Sequence, residues 1–218
     1  MRFYEQHHQY YCGVDLHASS MYLCIQDDRG TILLHKNLPT SREAFQAAVH
    51  PYCQDLAVAV ECMFSWYWIP DLCTQLNIAF VLGHALYMKA IHGGKAKNDR
   101  IDANKIAVLL RGGMFPVAYV YPPKMRSTRD LLRRRMFLNR RRSALITHIK
   151  CTFAQYTRPE PEQNVSRVSQ REGVAEQIPD PGASRNVRLD LDLLNFYDQT
   201  LTTLEQELTV LAKDHDPD

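Results

Sequence analysis

The feature that most constrains the fold of this chain is a series of five short apolar segments within residues 11–82. Each is bounded by turn residues or by a stretch with helical spacing, which is the pattern of β-strands rather than of long buried helices. The first three are joined by short polar connections, such as Asp27-Asp28-Arg29-Gly30, and so predict an antiparallel meander. The strands are predicted at residues 11–16, 21–26, 31–38, 56–60 and 78–82.

Helices are expected after the meander and between the later strands. Thr40 or Ser41 can cap a helix whose apolar stripe is Phe45, Val49 and Tyr52. Further helices are predicted at residues 64–76, 86–91 and 98–111, and a last strand at 117–121. The order βββ-α-β-α-β-α predicts an α/β fold: an RNase H-like mixed sheet flanked by helices.

The pattern changes after residue 124. Residues 127–156 lack glycine and proline, which predicts one long helix with Leu138, Leu145, Ile149 and Phe153 on its apolar face. Residues 157–188 are polar and contain four prolines, so a flexible loop is expected there. Beyond it, apolar residues recur at alternating spacings of three and four, the spacing of a coiled-coil seam. They are Leu194, Tyr197, Leu201, Leu204, Leu208 and Leu211.

These patterns together predict the domain organisation. We expect a flexible tail over residues 1–10, an α/β domain over 11–123 and a helical coiled-coil region over 124–213 that contains the loop 157–188. Two long helices joined by a loop favour either an antiparallel hairpin or a seam between two copies of the chain.

Charge is distributed unevenly along the chain. Residues 111–156 contain eleven Lys or Arg and a single acid, Asp130, whereas residues 157–218 have a net charge of −7. A dense basic segment indicates contact with phosphates, and we expect DNA or RNA as the partner. The alternative is a solvated helix face that is neutralised by acids of the second helix. The candidate nucleic-acid contacts are Lys95, Lys97, Arg126, Arg129, Arg133, Arg134, Arg135, Arg140, Arg141 and Arg142.

Four carboxylates stand at positions that predict a metal site. Asp15 and Glu61 end apolar strands, where a charge is costly unless it is paired or binds a metal. Asp99 and Asp102 lie three residues apart at the start of a helix and therefore point to one side. Such oxygen ligands suit Mg²⁺, with Mn²⁺ as the alternative, and four of them can hold two ions for phosphodiester chemistry.

Each acid also has a simpler interpretation when it is taken alone. Asp15 can cap a turn or serve as the phosphate-loop acid of an ATPase, although the glycine-rich loop of such an enzyme does not follow it. Glu61 can be half of a buried ion pair. Asp99 and Asp102 fit a helix N-cap followed by an acid in the first turn. The four together, each in its place on one fold plan, favour the metal site.

The motifs around these acids carry a family resemblance. Gly13-Val14-Asp15, Val60-Glu61 and the segment from Lys97 to Ala103 resemble the DEDD signature of insertion-sequence transposases related to Piv-type invertases. The first domain of that family is similar to RuvC-like resolvases. The resemblance implies an RNase H-like fold, catalytic acids at Asp15, Glu61, Asp99 and Asp102, and Mg²⁺-dependent DNA strand cleavage and exchange guided by a structured RNA. The family usually has threonine where this chain has Asn98.

The family also carries a second domain with a serine that attacks DNA, and no segment of this sequence matches it. We therefore expect the chain on its own to be inactive in recombination. The alternatives are a regulatory fragment that binds nucleic acid without catalysis, and a stand-alone RuvC-like junction nuclease. We expect a bacterial cytoplasmic protein that associates with the nucleoid. We also expect it to form a homo-oligomer through the coiled coil.

Two histidines, a cluster of aromatic residues and six cysteines have chemistry of their own. His17 and His84 are candidates to lie near the metal ions, but a satisfied polar histidine is the more common case. Phe64, Trp66, Tyr67 and Trp68 are expected in the core rather than on a nucleobase. The six cysteines form no CxxC pair, so no zinc site is predicted, and no apolar run is long enough to span a membrane.

Overall fold

The computed structural model describes residues 2–63, 65–91 and 98–213. It divides into two compact units, Met1–Val120 and Tyr121–Asp218. Lys95 and Lys97, two of the predicted nucleic-acid contacts, lie outside the described residues, as does Phe64, which is expected in the core.

The first unit is built on a mixed five-stranded sheet with the order β3-β2-β1-β4-β5. The pairs β1–β2 and β2–β3 are antiparallel, and β1–β4 and β4–β5 are parallel. This arrangement confirms the predicted RNase H-like class of fold. The strands are β1 Tyr10–Leu16, β2 Ser20–Asp27, β3 Ile32–Pro39, β4 Leu56–Glu61 and β5 Ala79–Gly83, and the helices are α1 Arg42–Val49, α2 Trp68–Gln75, α3 Ala85–Ile91 and α4 Asp99–Arg111.

The sheet has its most apolar strand near the middle. Residues 56–60 of β4 are all buried, as a strand covered on both faces requires. Helix α4 packs over β1 and β2, burying Ala103, Ile106, Ala107, Leu109 and Leu110. The five predicted strands agree with the observed ones to within one residue at each end.

Two elements differ from their predictions. Helix α2 begins at Trp68 rather than at residue 64, which places Pro70 in the first turn, where a missing N–H costs nothing. Residues 117–121, expected as a strand, contain only an isolated bridge from Val117 to Gly83. The two prolines that follow, at 122 and 123, have no N–H to continue a ladder, so the segment ends there.

The first residues of the chain also make defined contacts. The Tyr4 N–H donates to the Phe115 carbonyl at 3.1 Å, and the Val117 N–H donates to the Arg2 carbonyl at 3.0 Å. His8 Nδ1 lies 2.7 Å from Asp55 Oδ1. The segment expected as a flexible tail is therefore held at two places, by backbone hydrogen bonds to residues 115–117 and by the side-chain contact of His8 with Asp55.

The second unit contains two helices of 33 residues, α5 Pro123–Gln155 and α6 Pro181–Lys213. The ion pairs Arg135–Glu205 and Arg142–Asp198 show that the helices run antiparallel. Apolar residues from both helices form the core between them. It includes Leu138, Leu201, Leu204 and Leu208 at one end, and Ile149, Phe153, Leu191 and Leu194 at the other.

The segment between these helices differs from the expected flexible loop over 157–188. Helix α6 already begins at Pro181, and two short 3₁₀ helices, Val168–Gln170 and Ala175–Gln177, precede it. Val165, Val174 and Ile178 are buried in the same hydrophobic cluster as Ile149 of α5. A few apolar residues among the prolines are enough to anchor the segment. No helix among the described residues is apolar over a length that could cross a membrane.

Candidate metal centre and basic helix

The sheet register places two of the predicted acids side by side. Val14 of β1 pairs with Val60 of β4 in a parallel arrangement. The next residues, Asp15 and Glu61, therefore emerge at the same end of adjacent strands, which lie about 4.8 Å apart in a sheet. Glu61 also pairs with Gly83, and its side chain is half-buried. This is the carboxyl end of both strands, where ligands of open α/β sheets commonly bind.

Helix α4 supplies the other two acids. Its N-cap is Asn98, whose side chain accepts a hydrogen bond from the Arg100 N–H at 3.1 Å. Asp99 and Asp102 both lie in the first turn. Because Asn98 is the cap, the capping role considered for Asp99 belongs to its neighbour. Asp102 contacts Lys105 at 3.4 Å.

The acids of α4 come close to β1. His17 Nε2 lies 3.4 Å from Asp15 Oδ2 and 3.5 Å from Asp99 Oδ1. One ligand atom from each of these three residues lies within 4.8 Å of the other two. Asp15 is the least accessible of the three, with 16% of its side chain exposed, compared with 45% for His17 and 57% for Asp99.

Electrostatics at Asp15 are those of a crowded anionic site. Burial raises the pKa of Asp15 most, and the charges of Asp99 and Asp102 also raise it, whereas the charge of His17 and a weak hydrogen bond from its ring lower it. The pKa as a whole is raised. The structure thus brings Asp15, Asp99 and Asp102 within electrostatic reach of one another. A bound cation would relieve this repulsion, and the donors present, carboxylate oxygens and one imidazole nitrogen, can all act as metal ligands.

His17 is the residue that sequence reasoning undervalued. Side chains alternate along a strand, so residues 13 and 15 share the face of β1 that packs against α4. His17 follows just beyond the end of the strand, two residues from Asp15, and its side chain reaches Asp99. The two-residue spacing from Asp15 was therefore a usable signal. His84 differs, because its ring lies against Tyr87 with centroids 4.3 Å apart. Trp66 is 1% exposed, which agrees with the expected core position.

The basic helix divides into paired and unpaired arginines. Arg135 contacts Glu205 at 2.7 Å, and Arg142 pairs with Asp198. Arg126 donates to the Tyr121 carbonyl at 3.1 Å, and Arg129 contacts Asp130 at 3.3 Å. The alternative of neutralisation by the second helix therefore holds for two of the predicted contacts, Arg135 and Arg142.

The other arginines of α5 face outward. Arg133 and Arg140 are exposed, lie two helical turns apart on one face, and have no ion pair with any described residue. Arg134 and Arg141 lie over the ring of Phe137, at 5.6 and 5.2 Å from its centroid. Phe137 is itself 44% exposed. Two unpaired cations and an aromatic ring between two guanidinium groups make a surface suited to phosphates and bases.

A mixed five-stranded sheet with carboxylates at the carboxyl ends of its central strands defines an RNase H-like protein of the nucleic-acid-processing class. The family model DEDD_Tnp_IS110, described as a transposase, matches residues 12–158. The chain belongs to this family, the DEDD transposases of IS110-type insertion sequences. A comparison with curated proteins returned no significant match.

Proposed function

We propose that this chain provides the metal-dependent catalytic centre of an insertion-sequence transposase, with Asp15, Glu61, Asp99 and Asp102 as ligands of Mg²⁺ or Mn²⁺. The reaction is DNA strand cleavage and exchange during transposition. The observation that carries the proposal is the convergence of the partly buried Asp15 with Asp99 and His17, whose ligand atoms lie within 4.8 Å of one another, in a chain that belongs to a DEDD transposase family. Clustered anions of this kind are costly unless a cation joins them.

The residues have distinct parts in this proposal. Two divalent ions bound here would activate the attacking oxygen of a phosphodiester displacement and stabilise the leaving one. Asp15 and Glu61 are held by the sheet and so provide a rigid side of the centre. Asp99 and Asp102 stand in the first turn of α4, at the positive end of the helix dipole. The centre is open on the α4 side, where Asp99 is exposed.

Metal binding by the purified chain tests the proposal directly. Asp15→Asn, Glu61→Gln, Asp99→Asn and Asp102→Asn should each weaken Mg²⁺ and Mn²⁺ binding by about tenfold or more in calorimetric titrations. Asp192→Asn, at an exposed position of α6, is the matched control and should bind as the wild type does. Wild-type affinity in all four variants would refute the metal centre.

The outward face of α5 is proposed as the nucleic-acid contact, with the structured RNA of the element or its DNA as partner. Arg133 and Arg140 have no ion pair among the described residues, so their charge is available to phosphates. Phe137, between Arg134 and Arg141, offers a stacking surface for an unpaired base. This surface lies in the unit Tyr121–Asp218, so binding by it does not require the four acids.

Binding to an RNA hairpin and to a DNA duplex of equal length measures this surface. Arg133→Gln with Arg140→Gln should lower the affinity and reduce the slope of log K against log salt by about 0.7–0.9 per lost phosphate contact. Arg185→Gln on α6, also exposed, is the control. An unchanged slope in the double variant would exclude this face. Tighter binding of the hairpin than of the duplex would support RNA guidance.

Nucleic-acid binding that survives Asp15→Asn would also be the signature of the second candidate function, a regulatory chain without catalysis. The four acids and the basic face of α5 belong to different compact units. This observation supports the regulatory chain as a second candidate function. Cleavage assays of the transposase that contains this chain separate the two functions. A catalytic centre requires that Asp15→Asn abolish cleavage, whereas a purely regulatory chain would leave it unchanged.

Assembly into a homo-oligomer is proposed through α6. Leu189, Leu193 and Phe196 are 45%, 46% and 60% exposed and lie on one stripe of that helix. Apolar stripes of this kind commonly mark an interface. Light scattering of the wild type and of Phe196→Glu measures the mass. A monomeric mass in both would reject the proposal.

A further inference from the structure

We propose that His17 is a direct ligand of one ion in the proposed metal centre, and that it makes this position selective for first-row transition ions over Mg²⁺. The inference rests on the proposed function and goes beyond it, because it adds a nitrogen donor to a set of carboxylates. It concerns the cluster of Asp15, His17 and Asp99.

The separations between donor atoms carry the inference. A first-row ion binds imidazole nitrogen and carboxylate oxygen at about 2.0–2.2 Å, so two adjacent ligands of one ion are about 3.0–3.5 Å apart. The observed separations from His17 Nε2 are 3.4 Å to Asp15 and 3.5 Å to Asp99. A good N–H···O hydrogen bond is shorter, about 2.7–3.2 Å. The imidazole is therefore spaced as a co-ligand of the two carboxylates.

The backbone of His17 is held on both sides. Its N–H donates to the Ser20 carbonyl at 2.9 Å, across the turn between β1 and β2. Its carbonyl accepts a hydrogen bond from Thr40 Oγ1, also at 2.9 Å. These two bonds fix the turn that presents the imidazole. A ligand on a pre-organised backbone loses little conformational entropy when an ion binds.

The chemistry of the donors sets the selectivity. Mg²⁺ is a hard ion that prefers oxygen ligands, whereas imidazole suits the later divalent ions, whose affinities for a given site rise from Mn²⁺ towards Cu²⁺. A position with two carboxylates and one imidazole should therefore bind Co²⁺ more tightly than Mg²⁺. A site with only oxygen ligands would favour Co²⁺ over Mg²⁺ less strongly.

Cobalt is the probe, because its visible absorption reports the ligands directly. The wild-type chain is titrated with Co²⁺ and, separately, with Mg²⁺, by absorption and calorimetry. His17→Asn should weaken Co²⁺ binding by about tenfold or more, change the Co²⁺ spectrum and leave Mg²⁺ affinity close to that of the wild type. His50→Asn, an exposed histidine beyond α1, is the matched control and should change neither.

The outcomes separate this inference from the proposed function. If Asp15→Asn and Asp99→Asn lose both metals while His17→Asn keeps wild-type Co²⁺ affinity and spectrum, the metal centre stands and the role of His17 is overturned. If Asp15→Asn and Asp99→Asn also bind both metals normally, the centre itself is refuted. Because 45% of the His17 side chain is exposed, the variant should fold, which circular dichroism verifies.

Discussion

Gly13 and Ala103 meet where β1 passes under α4: a Cβ on Gly13 would lie 2.2 Å from the Ala103 carbonyl oxygen. It would also lie 2.4 Å from the Ala107 nitrogen. Both alanines are fully buried, so the helix presents its smallest residues to the strand. This close contact lowers α4 onto β1 one turn after Asp99, and thereby brings Asp99 towards Asp15.

Gly13→Ala should therefore disturb both the fold and the centre. The added methyl group would collide with helix backbone, which cannot move aside as a flexible side chain can. We expect a loss of about 3 kcal/mol in the free energy of unfolding, measured by urea denaturation, and weaker Mg²⁺ binding in the fraction that remains folded. Gly182→Ala is the control, because its nearest neighbour is the end of the Asp180 side chain at 3.3 Å. Equal stability of both variants would contradict the close-packing argument.

Asn98 is predicted to position the acids of α4 through its cap. Asn98→Ala removes the acceptor of the Arg100 N–H and should cost about 1 kcal/mol of stability. The first turn, which carries Asp99 and Asp102, should fray, so metal affinity should fall as well. Asn98→Ser keeps a capping oxygen and should retain most of both properties. Calorimetry of metal binding measures the effect, and equal affinity in the two variants would show that the cap does not position these acids.

Gln26 and Asn104 form a polar contact between β2 and α4. Gln26 is 2% exposed, and its Nε2 donates to Asn104 Oδ1 at 2.7 Å. Asn104→Ala should cost about 1–3 kcal/mol, because it leaves that buried donor without its acceptor. Gln26→Leu combined with Asn104→Ala should recover much of the loss, since the buried amide donor of Gln26 is then removed as well. Denaturant unfolding of the two variants gives the comparison, and an equal loss in both would contradict this explanation.

Asp198 should make the helical unit sensitive to acid. Burial by itself raises the pKa of Asp198, but hydrogen bonds and charges from Arg142 and Arg171 outweigh it and leave the pKa lowered. The folded state therefore binds this proton less tightly than the unfolded chain does. The contribution of ionised Asp198 to the free energy of unfolding is fully present above the unfolded pKa of about 4. It is lost as the pH falls through the lower pKa of the folded state.

Asp198→Asn isolates this contribution. Arg171 is 6% exposed and would lose its charged partner, so we expect a loss of about 3 kcal/mol at pH 7. The difference from the wild type should narrow as the pH is lowered below about 4. Unfolding free energies over this range measure it, with Asp192→Asn as the control of equal charge change. A difference that does not vary with pH would reject the assignment.

Local patterns were sufficient for much of the fold. The strand at Leu56–Glu61 follows from an uninterrupted apolar run, and α4 from its periodicity and the glycines after it. The segment around Arg171 was not predictable in this way. Its helical turns depend on contacts with Asn195 and Asp198, which are distant in the chain. A single buried arginine among polar residues has no periodic signal.

The same division holds at the candidate centre. The sequence by itself determined that Asp15 and Glu61 end strands and that Asp99 and Asp102 share a helical turn, because these are properties of neighbouring residues. Only the tertiary structure decided that His17 stands between Asp15 and Asp99, and that Arg135 has an ion pair whereas Arg133 has none with the residues that the structure describes. Distances between separate elements depend on how closely they pack, and here a missing side chain at Gly13 sets that distance.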